Sequence, residues 1–297
     1  VNTLVFGRTG QLASALRAET AETAGTAETA GTDSIVFLGR EECDLRDAES
    51  IARHLTRTRA EVVINATAYS NVEQAERDPT EAFRVNGAAV GALADACAAQ
   101  GARLIHVSTD YVFDGAATRP YGPQATPAPL GAYGASKLEG ERLIAATPGL
   151  DWLIVRTSWL YSSTGRNFLL TMLGLFRSRG VVSVVDDQFG TPTSARSLAR
   201  ALWVAAERPE VRGIAHYANV GVASWWEFAV AIAAGALERG LIERPPTVNA
   251  IPSADYPTLV RRPTFSALDA SATFAAWDLP AIPWRDALGA TLDELRG

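Results

Sequence analysis

The alternation of two kinds of segment constrains this chain more than any single motif does. Five short β-branched runs, TLVF (3–6), SIVFL (34–38), EVVINA (61–66), RLIHVS (103–108) and WLIVRT (152–157), are separated by alanine-rich stretches of helical pattern near 10–20, 47–58, 72–76 with 79–99, and 134–146. Such alternation predicts parallel strands joined by crossover helices on both faces of one sheet, the doubly wound α/β plan. The 297 residues leave room for that sheet and a second unit, at roughly 100–200 residues per domain.

Two stretches break the rhythm. The unit TAETAG occurs twice in tandem at 20–31, and its small residues cannot build a packed core, so 20–32 is expected to be an expanded, low-complexity surface loop. From about residue 150 the composition changes. All seven tryptophans (Trp152, Trp159, Trp203, Trp225, Trp226, Trp277, Trp284) lie there, with a proline-rich stretch at 244–265. A smaller, less regular domain is expected over 159–297, seated at the C-terminal edge of a sheet formed mainly by 1–158, with some later segments returning to that sheet. Ligands bind at that edge in open α/β folds.

The net charge of −6, with no dense run of Lys and Arg, argues against nucleic acid as a partner. An anionic substrate must then be held by local arginines and helix N-termini. Cys43 and Cys97 give no CxxC, metal or disulfide spacing, which suits buried thiols in a reducing compartment. The longest apolar runs fall far short of the roughly 20 residues of a membrane helix, and the chain opens on the strand-like NTLVFG without a leader pattern. A cytoplasmic protein without membrane contact is expected.

Chemistry enters at VFGRTGQLA, which places Gly7, Gly10 and Ala13 directly after the first strand and at the mouth of the first helix. Glycines there permit a tight turn and let the helix N-terminus approach a pyrophosphate, as in dinucleotide sites. The second strand ends FLGR, so Gly39 and Arg40 stand where an acid would bind the ribose diol of NAD. That favours NADPH, with Arg40 and Arg8 pairing to the extra phosphate. Asp44 and Leu45 suit an adenine edge and face, and the backbone of NATAYS (65–70), Ala66 included, is expected to run beside the cofactor.

In YGASK, Tyr133 precedes Lys137 by four residues, which stacks the two side chains on one helical face. A free phenol has a pKa of about 10, and a nearby cation lowers it, so the pair suits proton donation to a carbonyl oxygen while a nicotinamide delivers hydride. HVSTDYVFDG (106–115) brings two adjacent hydroxyls, Ser108 and Thr109, to a strand end. Alternation along the strand allows one of them to face the tyrosine.

Together these motifs resemble the extended short-chain dehydrogenase/reductase superfamily, and within it the dTDP-4-dehydrorhamnose reductase family. GRTGQL, VVINATAYSNVEQAE, VSTDYVFDG, YGASKLEGE, VRTSWLY, GRNFLLTML, DDQFGTPT and YPTLVRRPTFSALD carry the resemblance over nearly the whole chain. It implies a Rossmann-like doubly wound parallel sheet with a smaller α/β substrate-binding C-terminal domain. It assigns Thr109, rather than Ser108, as the hydroxyl partner of Tyr133, Tyr133 as general acid, and Lys137 as cofactor anchor. Gly10, Gln11, Leu12, Asp44, Leu45, Ala68, Tyr69 and Ser70 match cofactor-lining positions. Asp110 and Trp159 match substrate contacts, with Trp159 packing on the sugar ring, Tyr111 and Asn167 as neighbours, and Arg262 toward the nucleotide end. Asn86 resembles a helix asparagine that supports the active site.

Departures from the family pattern also matter. Ala15 replaces a glutamate that binds magnesium at a dimer contact in some relatives, so no metal is expected, while a homodimer is left open. Phe265 stands where Asn is commoner, which bears on Arg262. The resemblance implies NADPH-dependent reduction (NADH being an alternative donor) of a dTDP-linked ketosugar, dTDP-4-dehydro-L-rhamnose first. A related dTDP-ketosugar of antibiotic pathways and a non-catalytic regulatory subunit are the competing readings. Elimination chemistry is disfavoured, because Tyr111 stands where dehydratases carry an acid.

Overall fold

The computed structural model describes residues 1–24 and 34–296, with 21–24 by their backbone alone. Strands β1 (Thr3–Phe6), β2 (Ile35–Leu38), β3 (Val62–Asn65), β4 (Arg103–Thr109) and β5 (Trp152–Thr157) form one parallel sheet with a sixth strand, Gly213–His216. Its order is β2, β1, β3, β4, β5 and then the sixth strand, every pair parallel. The strand order therefore reverses between β1 and β3, which opens a crevice at their C-terminal ends.

Each face carries its own core. One face, with Leu4, Val63, Leu104 and Ile154, is covered by helices Ala48–Thr58 and Ala89–Gln100. The other, with Val5, Ile64, Ile105 and Val155, is covered by helix Gln11–Ala24 through Leu12 and Leu16 and by helix Ala195–Ala206 through Leu198 and Leu202. A late segment of the chain thus supplies both a sheet strand and a covering helix.

A third core gathers Tyr161, Leu169, Phe176, Phe228, Trp284 and Leu288 beneath helices Phe168–Ser178, Trp225–Glu238 and Trp284–Arg296. Its small sheets pair Val181–Val185 with Thr247–Ile251, and Phe189–Gly190 with Ala223–Ser224. The first helix runs to Ala24, so the first TAETAG unit enters it rather than a loop: alanine and glutamate there are good helix formers. The remainder of the expected 20–32 loop, from residue 25, lies outside the described residues.

Candidate active site

Helix Ala132–Ala146 lies against the C-terminal end of β4 and carries Tyr133, Ser136, Lys137 and Glu141. Its glycines set how closely it approaches. A Cβ at Gly134 would fall 2.0 Å from the Tyr111 carbonyl oxygen, and one at Gly140 would fall 2.2 Å from that of Asn86. A buried ion pair ties the same helix to β5: Arg156 Nε donates to Glu141 Oε1 at 2.9 Å and Nη2 to Oε2 at 2.5 Å.

The structure brings Thr109, Asp110, Tyr111 and Tyr133 together. Thr109 lies beside the Tyr133 phenol, while Ser108 is buried with its hydroxyl unpartnered. Thr109 Oγ1 donates to Asp110 Oδ1 at 3.1 Å, and the Tyr111 ring meets that of Tyr133 edge-on, with centroids 5.6 Å apart. Burial pushes the Tyr133 phenol up to about 12, against the lowering effect of the neighbouring Thr109 hydroxyl, so it keeps its proton at neutral pH. Burial likewise raises the Asp110 carboxyl to about 7, against the nearby Ser266 hydroxyl and the Thr109 hydrogen bond.

The Lys137 amine makes its hydrogen bonds to β4 rather than to the phenol. Its Nζ lies 2.7 Å from the Val107 carbonyl oxygen and 3.0 Å from His106 Nε2. Behind His106, Asn65 Oδ1 accepts from the Thr67 backbone N–H and hydroxyl, which turns the Asn65 amide N–H toward His106 Nδ1 at 3.1 Å. The partners thereby assign Nδ1 as acceptor and place the proton of the neutral ring on Nε2, facing Lys137. An uncharged amine completes this chain, whereas an ammonium would oppose two hydrogens. Burial acts in the same direction, drawing Lys137 down to about 8 against the pull of Glu141. It also holds His106 well below its ordinary value, with Lys137 adding to the effect.

Asn86 sits in a π-helical turn, Arg84–Ala88. Its side chain accepts from Tyr69 N–H at 2.8 Å and donates to Tyr69 O at 3.1 Å and Ser136 Oγ at 3.0 Å, locking the loop after β3 to helix Ala132–Ala146. Single-turn π-helices of this kind recur at functional sites.

The expected cofactor residues line the crevice. Gly7 adopts φ 126°, and a Cβ there would press on Ala13 and Ala66 at 3.3 and 3.5 Å, so the small residue at position 13 keeps the helix close to the strands. A Cβ at Gly10 would meet nothing within 4 Å. Gly39, Arg40, Asp44, Leu45, Ala68 and Tyr69 line a groove of about 190 Å³, with Ser70 exposed just beyond it. Leu12 turns its side chain into the core, leaving its backbone to face a ligand. Gln11 joins the glycine turn to the second half of the chain, donating to Arg166 O at 3.3 Å and accepting from Ser162 Oγ at 3.1 Å. Asp44 is held by Arg46 on two sides, which keeps its carboxyl far below the usual range.

Two expected substrate contacts are placed differently. Asn167 caps helix Phe168–Ser178 through Oδ1 and donates to Ser162 O and Thr164 O at 2.9 and 3.1 Å, so its amide serves the local fold. Trp159 adopts φ 47° and stacks on Trp225 with ring centroids 3.5 Å apart and planes 4° apart. On its other face, a Cβ at Gly190 would stand 2.3 Å from Cε2, nearer than to its ring neighbours Nε1 and Cζ2 at 2.5 and 2.7 Å, and hence over the ring. Trp225 on one face and Gly190 over part of the other leave Trp159 half-buried.

Beside this pair opens a cavity of about 1050 Å³ lined by Phe168, Trp225, Arg179, Tyr256, Arg261 and Arg262, among others. Arg262 lies near the Tyr111 phenol, and Nη2 reaches Glu73 at 3.5 Å, linking the cavity to the Tyr133 site. Sequence reasoning passed over His106, Glu141, Arg156 and Trp225. The available signals were polar residues within the apolar strands RLIHVST and WLIVRT, and the fact that Lys137 is the sole lysine of the sequence.

Residues 1–296 match the family model described as the RmlD substrate binding domain. The chain is 40% identical to the dTDP-4-dehydrorhamnose reductase of Burkholderia thailandensis, over 88% of this chain and 91% of that protein. It is also 40% identical to that of Mycobacterium tuberculosis, over 97% and 91%. The crystal structure of the Bacillus anthracis dTDP-4-dehydrorhamnose reductase in complex with NADP superposes with a TM-score of 0.89 at 28% identity, covering 99% of each chain. The fold extends to a Thermus thermophilus UDP-glucose 4-epimerase, with a TM-score of 0.82 at 19% identity and coverage of 100% and 99%. A glycine-turned crevice, a Thr–Tyr pair at the end of β4 and these likenesses place the chain in the dTDP-4-dehydrorhamnose reductase family.

Proposed function

We propose that this protein reduces the C4 keto group of a dTDP-4-keto-6-deoxyhexose, converting dTDP-4-dehydro-L-rhamnose to dTDP-L-rhamnose with NADPH. The observation that carries this reading is the gathering of Thr109, Asp110, Tyr111 and Tyr133 at the end of β4, with burial keeping the Tyr133 phenol protonated. Free space at Gly10 and the tight Gly7 turn fit a dinucleotide pyrophosphate, and the groove beside Asp44 and Leu45 fits its adenosine end. The relatives' names and the NADP in the B. anthracis structure support the same donor and substrate class.

Residues 1–158 would chiefly hold the dinucleotide and 159–297 the nucleotide-sugar. A bound reduced nicotinamide supplies the hydride. Tyr133 gives its proton to the carbonyl oxygen as that oxygen gains charge, and Thr109 holds the phenol in position. Lys137 anchors the cofactor side of the site, and Asp110 and Tyr111 border the sugar. Arg262, with Arg179 and Arg261 across the cavity, provides cations for the diphosphate, consistent with the need for local cations in an acidic chain.

The test follows nicotinamide absorbance with dTDP-4-dehydro-L-rhamnose generated in situ. Rapid NADPH oxidation yielding dTDP-L-rhamnose is expected. Dinucleotide binding without oxidation would refute this substrate assignment.

A further inference from the structure

The strand end that selects between NAD and NADP carries an unexpected carboxylate. Position 39 lacks the acid that usually meets the adenine ribose, yet Glu42 folds back over it: Oε2 accepts the Gly39 backbone N–H at 2.9 Å. The other oxygen, Oε1, pairs with Arg8. Gly39 is what admits this arrangement, since a Cβ there would stand 2.8 Å from Glu42 Oε2 and 3.3 Å from the Arg8 Cβ. Turn bonds from Glu42 N–H and Cys43 N–H to Gly39 O bring the carboxylate back over three residues. Arg40, expected to meet a 2′-phosphate, points elsewhere; it is 73% exposed and lies 3.5 Å from Asp44.

We propose that Glu42 is the residue that discriminates between the two dinucleotides, standing in space for the acid missing at Gly39. With an unphosphorylated ribose, its carboxylate accepts the ribose hydroxyls. A 2′-phosphate cannot share that place with a carboxylate, so it must displace Glu42 and take over Arg8 and the Gly39 N–H, both donors suited to an anion. Glu42 and Arg8 are partly exposed, at 34% and 50%, so the exchange needs no core rearrangement. Arg8 then serves either anion, and Glu42 weakens NADPH binding while supporting that of NADH. This inference rests on the dinucleotide reading of the crevice but not on the identity of the sugar.

The test is a fluorescence titration of the whole chain with NADPH and NADH, comparing wild type with Glu42→Gln and Arg8→Gln. Glutamine retains an acceptor for the Gly39 N–H, so the turn is preserved while the charge is removed. Glu42→Gln is expected to raise the ratio of NADPH to NADH affinity by about tenfold, the scale of one charge-assisted hydrogen bond. Arg8→Gln is expected to lower that ratio. Unchanged ratios with binding intact would overturn the role of Glu42 alone, whereas failure to bind either dinucleotide would overturn it together with the cofactor reading. No ketosugar is involved, so failed turnover bears on the proposed substrate and leaves this inference standing.

Discussion

The Lys137 amine and the His106 imidazole form a buried pair, Nζ to Nε2 at 3.0 Å, in which the chain of donors running from Thr67 through Asn65 points at the lysine. Because the sequence holds no other lysine, the pair can be observed without assignment. In protein labelled with ¹³Cε-lysine, the single resonance is expected to titrate near pH 8, where burial places it, rather than above 10. Asn65→Asp would reverse the chain, letting His106 Nδ1 donate and Nε2 accept from an ammonium, so the lysine midpoint should rise. A midpoint unmoved by Asn65→Asp would contradict the assigned direction of the hydrogen bonds.

Tyr133 is the proton donor in this account, and burial keeps its phenol protonated beside Thr109. Tyr133→Phe should lower kcat by roughly 10²-fold or more, the scale of a general acid, with NADPH affinity changed by less than about threefold. Steady-state kinetics beside a binding titration separate the two. A phenylalanine variant of near-normal kcat would remove the phenol from the chemistry.

Asp110 couples the site to pH. Its folded value of about 7 lies above the roughly 4 of an unfolded aspartate, so between these the folded state holds the extra proton and stability falls as pH rises. Asp110→Asn lacks this loss. Its stability relative to wild type should grow from pH 4 to pH 7 by up to about 4 kcal/mol, read by urea unfolding at several pH values. The buried His106 and His216, whose values are lowered, titrate in the opposite sense in both proteins and cancel in the difference. Parallel pH profiles for the two proteins would contradict a neutral, buried Asp110.

Two glycines in helices should respond with opposite signs. Gly140→Ala forces a Cβ to 2.2 Å from the Asn86 carbonyl and is expected to destabilise by roughly 2 kcal/mol or more. Gly174→Ala, in the exposed face of helix Phe168–Ser178 with nothing within 4 Å, should stabilise by roughly 0.5–1 kcal/mol. Thermal unfolding of the two variants checks both, and equal shifts would contradict the close helix contact.

The sheet was legible because strand and helix patterns depend on local sequence, and the five strands begin and end within about a residue of their sequence patterns. Strand alternation left Ser108 and Thr109 as alternatives and the family resemblance chose Thr109; in the structure Thr109 lies beside Tyr133, while the Ser108 hydroxyl is buried without a partner. What the sequence concealed is long-range. Lys137 was read through its helical neighbour at position 133, yet its partners come from β4, 31 and 30 residues away in sequence. The resemblance makes Trp159 a substrate contact, and nothing local reveals that Trp225 stacks on it or that Gly190 approaches its ring. Arg40 was assigned by adjacency to the strand end, while the turn that returns Glu42 to Gly39 is visible only in three dimensions.

The central claim is that hydride reaches C4 of a dTDP-linked ketosugar as Tyr133 protonates the oxygen. The most direct measurement supplies NADPH deuterated at the transferable C4 position together with dTDP-4-dehydro-L-rhamnose, and locates the label in the product by NMR and mass spectrometry. One deuterium at sugar C4 of dTDP-L-rhamnose, absent from the Tyr133→Phe reaction, is the predicted result. Product without deuterium at C4, or label retained wholly in the dinucleotide, would contradict the account.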